Sequence, residues 1–286
     1  MPSLNDIKRR ISSVKSTQKI TRAMKMVAAS KLRRAQQAIV RTRPYAYRLR
    51  DLVGSVAARA DAVSHPLLRT ATGEGKVGLV VVTSDRGLCG GFNAAIVNRT
   101  LACLKKDFAK REVELTVVGR KGIESLRRRP CTIRASFTGA SDKPAIRAAA
   151  EVIDDVVADF MAGGTDAVYC VYNEFKSAVQ QDVVVEQVLP IAAEPFEGEG
   201  LPLDYLYEPD QEAVFGELLV RYTHVQMHRI LHESLASEYG ARMTAMDSAT
   251  RNAGDVIDRL TLQYNRARQD AITTQLIEVV SGAEAL

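Results

Sequence analysis

Three histidines, His224, His228 and His232, stand four residues apart and would share one face of any helix that carried them, an arrangement that can offer imidazoles to a metal ion. The residues between the last two, Arg229-Ile230-Leu231, lack the glutamate of an HExxH zinc-protease helix, and no cysteine lies near. A stripe facing solvent or a partner is therefore the favoured reading. The four cysteines, Cys89, Cys103, Cys131 and Cys170, are scattered without a CxxC pair, which supports neither a zinc knuckle nor a redox motif and fits a reducing compartment. The loop Thr83-Ser84-Asp85-Arg86-Gly87-Leu88-Cys89-Gly90-Gly91-Phe92-Asn93 follows an apolar run and opens a helical pattern, the place where α/β domains cradle phosphate. Its glycines match neither a P-loop, with no Lys-Ser or Lys-Thr after them, nor GxGxxG, so a tight turn and close helix packing are the expected role. No Ser-His-Asp or Cys-His set is assignable from spacing. No cofactor or metal is expected.

Charge is the stronger signal. The net charge of +5 is unevenly spread: residues 1–50 hold 14 Lys or Arg and one acid, Asp6, whereas residues 177–220 hold 10 acids and no Lys or Arg. Opposed blocks of this kind suit surfaces matched to particular partners. Lysines and arginines along one helix could also neutralise phosphates, so nucleic-acid binding is a rival reading, and a nucleotide-binding enzyme built on the Ser84–Gly91 loop is another. Against the first, the basic segment carries an apolar seam and has no aromatic residue before Tyr45 to interleave for stacking. Its Arg-rich, acid-poor start also resembles a transit peptide, but the periodicity runs on to Ile39, so it reads as mature structure.

The elements that must hold these residues follow from periodicity. Ile7, Ile11, Val14, Thr21, Ala28, Leu32, Ala35 and Ile39 fall on alternating three- and four-residue steps, with Gln18 and Lys25 as polar interruptions. A helix is predicted from Leu4 to about Ala58, capped by Ser3 and Asp6 and bent or broken at Pro44. A proline-free second helix is predicted from about Gln211 to Val280, its seam running through Phe215, Leu218, Tyr222, Val225, Ala236, Tyr239, Met243, Met246, Ala253, Ile257, Leu260, Tyr264 and Ala267, with Arg229, His232 and Thr250 as exceptions. At the standard rise that helix is roughly 100 Å long, and two such helices invite antiparallel pairing. Between them, strands are predicted at Val77–Thr83, Val113–Val118, Cys131–Phe137, Ala167–Tyr172 and Val183–Leu189, with helices near Phe92–Phe108, Lys121–Arg128 and Pro144–Met161. The fold class is α/β: a long antiparallel two-helix coiled coil formed by residues 1–58 and 210–286, plus a central Rossmann-like domain, residues 76–193, with a largely parallel sheet. Glu194–Pro209 reads as a linker, and no apolar run reaches membrane-spanning length.

Several segments together resemble one family, the gamma subunit of the rotary ATP synthase of bacterial type. Thr17-Gln18-Lys19-Ile20-Thr21-Arg22-Ala23-Met24-Lys25-Met26-Val27-Ala28-Ala29-Ser30-Lys31 resembles its opening helix, Ser84–Gly91 its central signature, and Asp204-Tyr205-Leu206-Tyr207-Glu208-Pro209 its entry to the last helix. Tyr264-Asn265-Arg266-Ala267-Arg268-Gln269, Ile272-Thr273 and Glu278-Val279-Val280-Ser281-Gly282-Ala283 resemble its closing signature, though Gln275 stands where the family commonly has Glu. The resemblance implies a non-catalytic central-stalk shaft of a proton-translocating enzyme, peripheral on the cytoplasmic face of the inner membrane. It implies as partners three alpha and three beta subunits, epsilon and the c-subunit ring, with no nucleic acid and no direct membrane insertion. It further implies that Lys8, Arg9, Lys15, Lys19, Arg22, Lys25 and Lys31 meet acidic loops of the collar, while Arg266, Arg268, Gln269 and Thr273 engage the ring from the C-terminal helix.

Overall fold

The computed structural model describes residues 3–57, 65–69, 71–140, 143–178, 180–191, 208 and 210–284. The linker Glu194–Pro209 and the segment Asp204–Pro209 lie outside the described residues apart from Glu208. Helix α1 spans Leu4–Ala57 and helix α5 spans Gln211–Glu284. Between them come β1 (Val77–Val82), α2 (Phe92–Ala102, continued by a π-helical turn over Cys103–Asp107), β2 (Val113–Val118), α3 (Arg120–Leu126), β3 (Thr132–Phe137), α4 (Ala145–Met161), β4 (Ala167–Phe175) and β5 (Gln181–Leu189). The chain falls into two units, one of residues 29–241 and one of residues 1–28 with 242–286.

In the first unit the sheet order is β3-β2-β1-β4-β5. The β1–β2, β2–β3 and β1–β4 pairs are parallel, and only β5 runs antiparallel to its neighbour β4. A parallel sheet must be covered on both faces, and β1 divides its side chains accordingly. Val77, Leu79 and Val81 enter a core with Phe92 and Ile96 of α2 and Ile123 and Leu126 of α3. Val80 and Val82 enter the opposite core with Val152, Ile153, Val156 and Phe160 of α4, Val53 and Val56 of α1, and Leu219, Met227, Ile230 and Leu231 of α5.

This second core corrects two sequence expectations. Helix α1 neither ends nor breaks at Pro44 but runs through it to Ala57. One missing N–H costs less than giving up the buried contacts of Ala46, Leu49, Val53 and Val56 beyond it. Along residues 215–241 of α5 the buried face is also much wider than a two-stranded seam. Leu218, Tyr222 and Val225 are only half-buried, whereas Leu219, Thr223, Met227, Ile230 and Leu231 are buried outright. The reason is that this stretch faces the sheet and α4 as well as α1.

In the second unit the pairing is the predicted antiparallel one. Gln18 Nε2 donates to the Thr250 carbonyl at 3.4 Å, Thr250 Oγ1 lies 2.8 Å from Thr21 Oγ1, and Lys25 Nζ lies 2.5 Å from Asp247 Oδ1. Ile7, Thr21, Ala28, Met246 and Ala253 are buried in its seam, with Ile11, Val14, Ile257, Leu260, Tyr264 and Ala267 half-buried. Ser3 caps α1, its hydroxyl oxygen accepting from Asp6 N–H at 3.2 Å while its own N–H donates to Asp6 Oδ2 at 3.2 Å.

Candidate partner-binding surface

The basic residues singled out above are exposed wherever the helices leave them no internal partner. Lys8, Arg9, Lys15, Lys19 and Arg22 of α1, and Arg266, Arg268, Gln269 and Thr273 of α5, are all exposed and form no ion pair among the described residues. They belong to one unit, where the register set by Gln18–Thr250 and Lys25–Asp247 brings the start of α1 alongside residues near Arg266 and Arg268. Lys25 is half-buried and already engaged: its hydrogen bond holds the Asp247 carboxyl below the usual carboxylate range, helped by Arg251, whose NH1 is 3.4 Å from Asp247 Oδ2. Lys31, in the other unit, is exposed but rests its Nζ 5.4 Å from the centre of the Tyr239 ring.

The glycine loop is bound up in itself and its neighbours. Ser84 Oγ donates to the Arg86 carbonyl at 2.7 Å, Ser84 N–H donates to Asn93 Oδ1 at 3.0 Å, and Asp85 Oδ1 accepts from the N–H groups of Arg120 at 3.2 Å and Gly139 at 3.0 Å. Leu88 and Gly90 take positive φ values of 64° and 57° to close the turn. The sheet order makes the junction of β1 with its two parallel neighbours the switch point, where α/β sheets bind ligands beyond the strand ends. Here that crevice is occupied by α5. Leu231, Ser234, Leu235 and Glu238 line it with Val82, Thr83, Asp85, Val118 and Ala140, leaving a cavity of about 20 Å³. That is room for about one water and none for a nucleotide.

The histidine stripe is divided. His224 Nε2 lies 3.0 Å from Asp154 Oδ1, while His228 and His232 face each other with their Nε2 atoms 3.0 Å apart. Burial lowers the pKa of His228, and burial followed by the neighbouring His228 pushes His232 down to about 4. Among the described residues no group of three or more metal-binding side chains comes together. Cys89, Cys103 and Cys170 are buried as free thiols, and burial is the main cause that pushes the Cys103 thiol up to about 11.

Sequence reasoning missed the charged residues built into the interior of the larger unit. Glu233 is 2% exposed and bonded to Arg43, and Glu238 is 5% exposed. The available signal was Arg229 and His232, noted as breaks in an apolar seam. A polar group in such a face needs a partner on whatever covers it.

An antiparallel helix pair with an exposed basic surface, and a doubly wound sheet whose switch-point crevice is filled by the protein's own helix, are the features of a coiled-coil interaction protein. Among the described residues no helix is long and apolar enough to cross a membrane. The family model described as ATP synthase matches residues 3–286. An ATP synthase gamma chain of Anaeromyxobacter sp. (strain Fw109-5) is 52% identical over 100% of both chains, and that of Moorella thermoacetica is 48% identical, again over 100% of both. A solved chain from the central stalk and c-ring of the Tetrahymena thermophila mitochondrial ATP synthase matches with a TM-score of 0.62 at 28% identity, over 80% of this chain and 99% of that one. The chain belongs to the ATP synthase gamma chain family.

Proposed function

We propose that the chain is the non-catalytic rotor shaft of a bacterial, proton-translocating ATP synthase. It turns inside a ring of three alpha and three beta subunits, is joined at its α/β domain to epsilon and the c-subunit ring, and is held peripherally on the cytoplasmic face of the inner membrane. The observation that carries this reading is the match to gamma chains over the full length at about half identity. The filled switch-point crevice supports the assignment of catalysis to other subunits.

The mechanism is differential contact. A helix pair with different faces stabilises whichever beta conformer it touches best, and only the difference in contact energy between conformers shifts their populations. A tenfold bias requires about 1.4 kcal/mol. Lys8, Arg9, Lys15, Lys19 and Arg22 are suited to supply it, being exposed, of one sign and without an ion pair among the described residues, as are Arg266 and Arg268 one helix away, with the exposed neutral Gln269 and Thr273 beside them. A single exposed charge is worth little, so the effect belongs to the set. Lys25 and Lys31 contribute from within their intrachain contacts.

The test is co-expression with alpha and beta subunits. The wild-type chain co-purifies with them. Replacing Lys8, Lys15, Lys19 and Arg22 together with Gln leaves the helical content unchanged but weakens assembly with alpha and beta or, in the whole membrane-bound complex, coupling of ATP hydrolysis to proton pumping, most visibly at low ionic strength where such contacts act furthest. Normal assembly and coupling of the fourfold variant under those conditions would remove the partner-facing role.

A further inference from the structure

Three polar side chains on α5, Arg229, Glu233 and Ser237, follow one another at four-residue intervals and therefore form a single stripe along the helix. Each engages the β4–β5 pair. Arg229 NH1 donates to the Tyr172 hydroxyl at 3.1 Å and its other terminal nitrogen to Glu186, while the same hydroxyl donates to Glu186 Oε2 at 2.6 Å. Glu233 Oε2 accepts the Phe175 N–H at 3.1 Å, and Ser237 Oγ donates to the Asn173 carbonyl at 3.1 Å. One turn on, Gly240 lets the β4–β5 connection approach: an added Cβ would lie 3.2 Å from the Ala178 carbonyl oxygen. The Glu233 carboxylate also reaches α1, with Oε1 accepting from Arg43 Nε at 3.2 Å and NH2 at 2.8 Å. Glu233, Ser237, Tyr172 and Asn173 are all buried to 3% exposure or less.

The apolar residues beside this stripe, Met227, Ile230 and Leu231, hold α5 against the domain, but apolar attraction has no preferred direction and opposes rolling of a helix only weakly. Hydrogen bonds weaken steeply when misaligned, so four of them, made by three residues spaced along two turns, resist rotation of α5 about its own axis. We propose that Arg229, Glu233 and Ser237 are positioning residues that fix α5 torsionally to the α/β domain, so that turning of the domain is passed into the helix rather than lost as rolling. The proposal deepens the rotor reading and rests on it for its purpose, but the attachment itself is a property of this chain.

The test has two arms. In the isolated full-length chain, dyes at Glu217 on α5 and Lys121 on α3 report the spread of distances between helix and domain. Replacing Arg229→Met, Glu233→Gln and Ser237→Ala together should widen that spread at least twofold while helical content is retained. In the assembled complex, a bead on the α/β domain with the helix pair arrested by a non-hydrolysable nucleotide should show at least twofold larger angular variance, and protons pumped per ATP hydrolysed should fall. If the triple variant does not fold, Ser237→Ala alone, which removes one neutral hydrogen bond, should give a smaller widening in both arms. Unchanged spread in the isolated chain overturns the attachment whatever the complex does. A merely structural role would lower assembly, hydrolysis and pumping in parallel and leave the variance of assembled complexes as in wild type. Failure of the wild-type chain to join a ring would count against the rotor reading alone.

Discussion

Gly119 closes β2 and opens α3 at a backbone φ of 98°, and an added Cβ there would lie 2.3 Å from the Thr83 carbonyl oxygen and 2.6 Å from its carbonyl carbon. Gly139 offers an internal control, with φ at 76° but nothing within 4 Å of an added Cβ. Gly139→Ala therefore meets only the left-handed backbone penalty, about 1–2 kcal/mol. Gly119→Ala, at ψ 135° and so outside the left-handed helical well, meets a backbone penalty at least as large and must also displace the end of β1 from β2. Thr83 N–H donates to the Val118 carbonyl at 2.8 Å, Thr83 Oγ1 donates to the same carbonyl at 2.8 Å, and Gly122 N–H donates to Thr83 Oγ1 at 2.9 Å. Disturbing one or two of these buried bonds at about 1–3 kcal/mol each brings the expected loss for Gly119→Ala to about 2–8 kcal/mol. Urea unfolding followed by circular dichroism measures both variants, and the difference in stability reports the clash at Gly119 together with any extra backbone strain there. Losses that agree to within about 0.5 kcal/mol would show that the sheet yields freely at this point and refute the argument.

The paired histidines set a pH dependence. With folded-state pKa values below the ordinary 6.5, His228 and His232 bind fewer protons folded than unfolded, so their contribution to stability is full above pH 6.5 and is lost as the pH falls toward about 4. Because both rings keep some solvent contact, the loss is discounted to roughly 1–2 kcal/mol, and His228→Gln with His232→Gln should flatten stability between pH 7 and 4.5 relative to wild type. An unchanged slope would mean that carboxylates, not this pair, govern the acid limb. At the far end of α5, Ile272 is 48%, Leu276 61%, Ile277 60%, Val279 69% and Val280 56% exposed, an apolar tip that a surrounding ring would cover. Amide exchange at Leu276, Ile277, Val279 and Val280 should be fast in the free chain and slowed at least tenfold on assembly with alpha and beta subunits. Strong protection in the free chain would show the tip needs no sleeve.

The strands and helices of the α/β domain were legible in the sequence because each carries its own short-range signal. The apolar runs at Val77–Val82, Val113–Val118 and Ala167 onward are strand-length and separated by helical stretches, which is enough to order them. What the sequence could not supply was anything decided by which face meets which. The seam interruptions Gln18 and Lys25 on α1 and Thr250 on α5 were visible as separate exceptions. Only the register of the antiparallel pair joins Gln18 and Thr21 to Thr250, and Lys25 to Asp247. The same holds for Arg229, which reads as a flaw in an apolar face until Tyr172 and Glu186, more than forty residues away, are folded against it.

The glycine loop shows this most clearly, because its local sequence is compatible with a phosphate cradle and its role is decided from outside. Asp85 takes the Arg120 and Gly139 N–H groups, and Leu231, Ser234, Leu235 and Glu238 arrive from a helix about 150 residues later to fill the crevice above it. A sheet of this order elsewhere leaves that crevice open and binds a ligand there. Here the same position is given to α5, so the feature that makes an α/β domain a binding site becomes the seat that grips a helix. At this crevice the free energy that a ligand would supply comes instead from burial of the protein's own chain, Leu231 and Leu235 of α5 taking the ligand's place above the ends of β1 and β2.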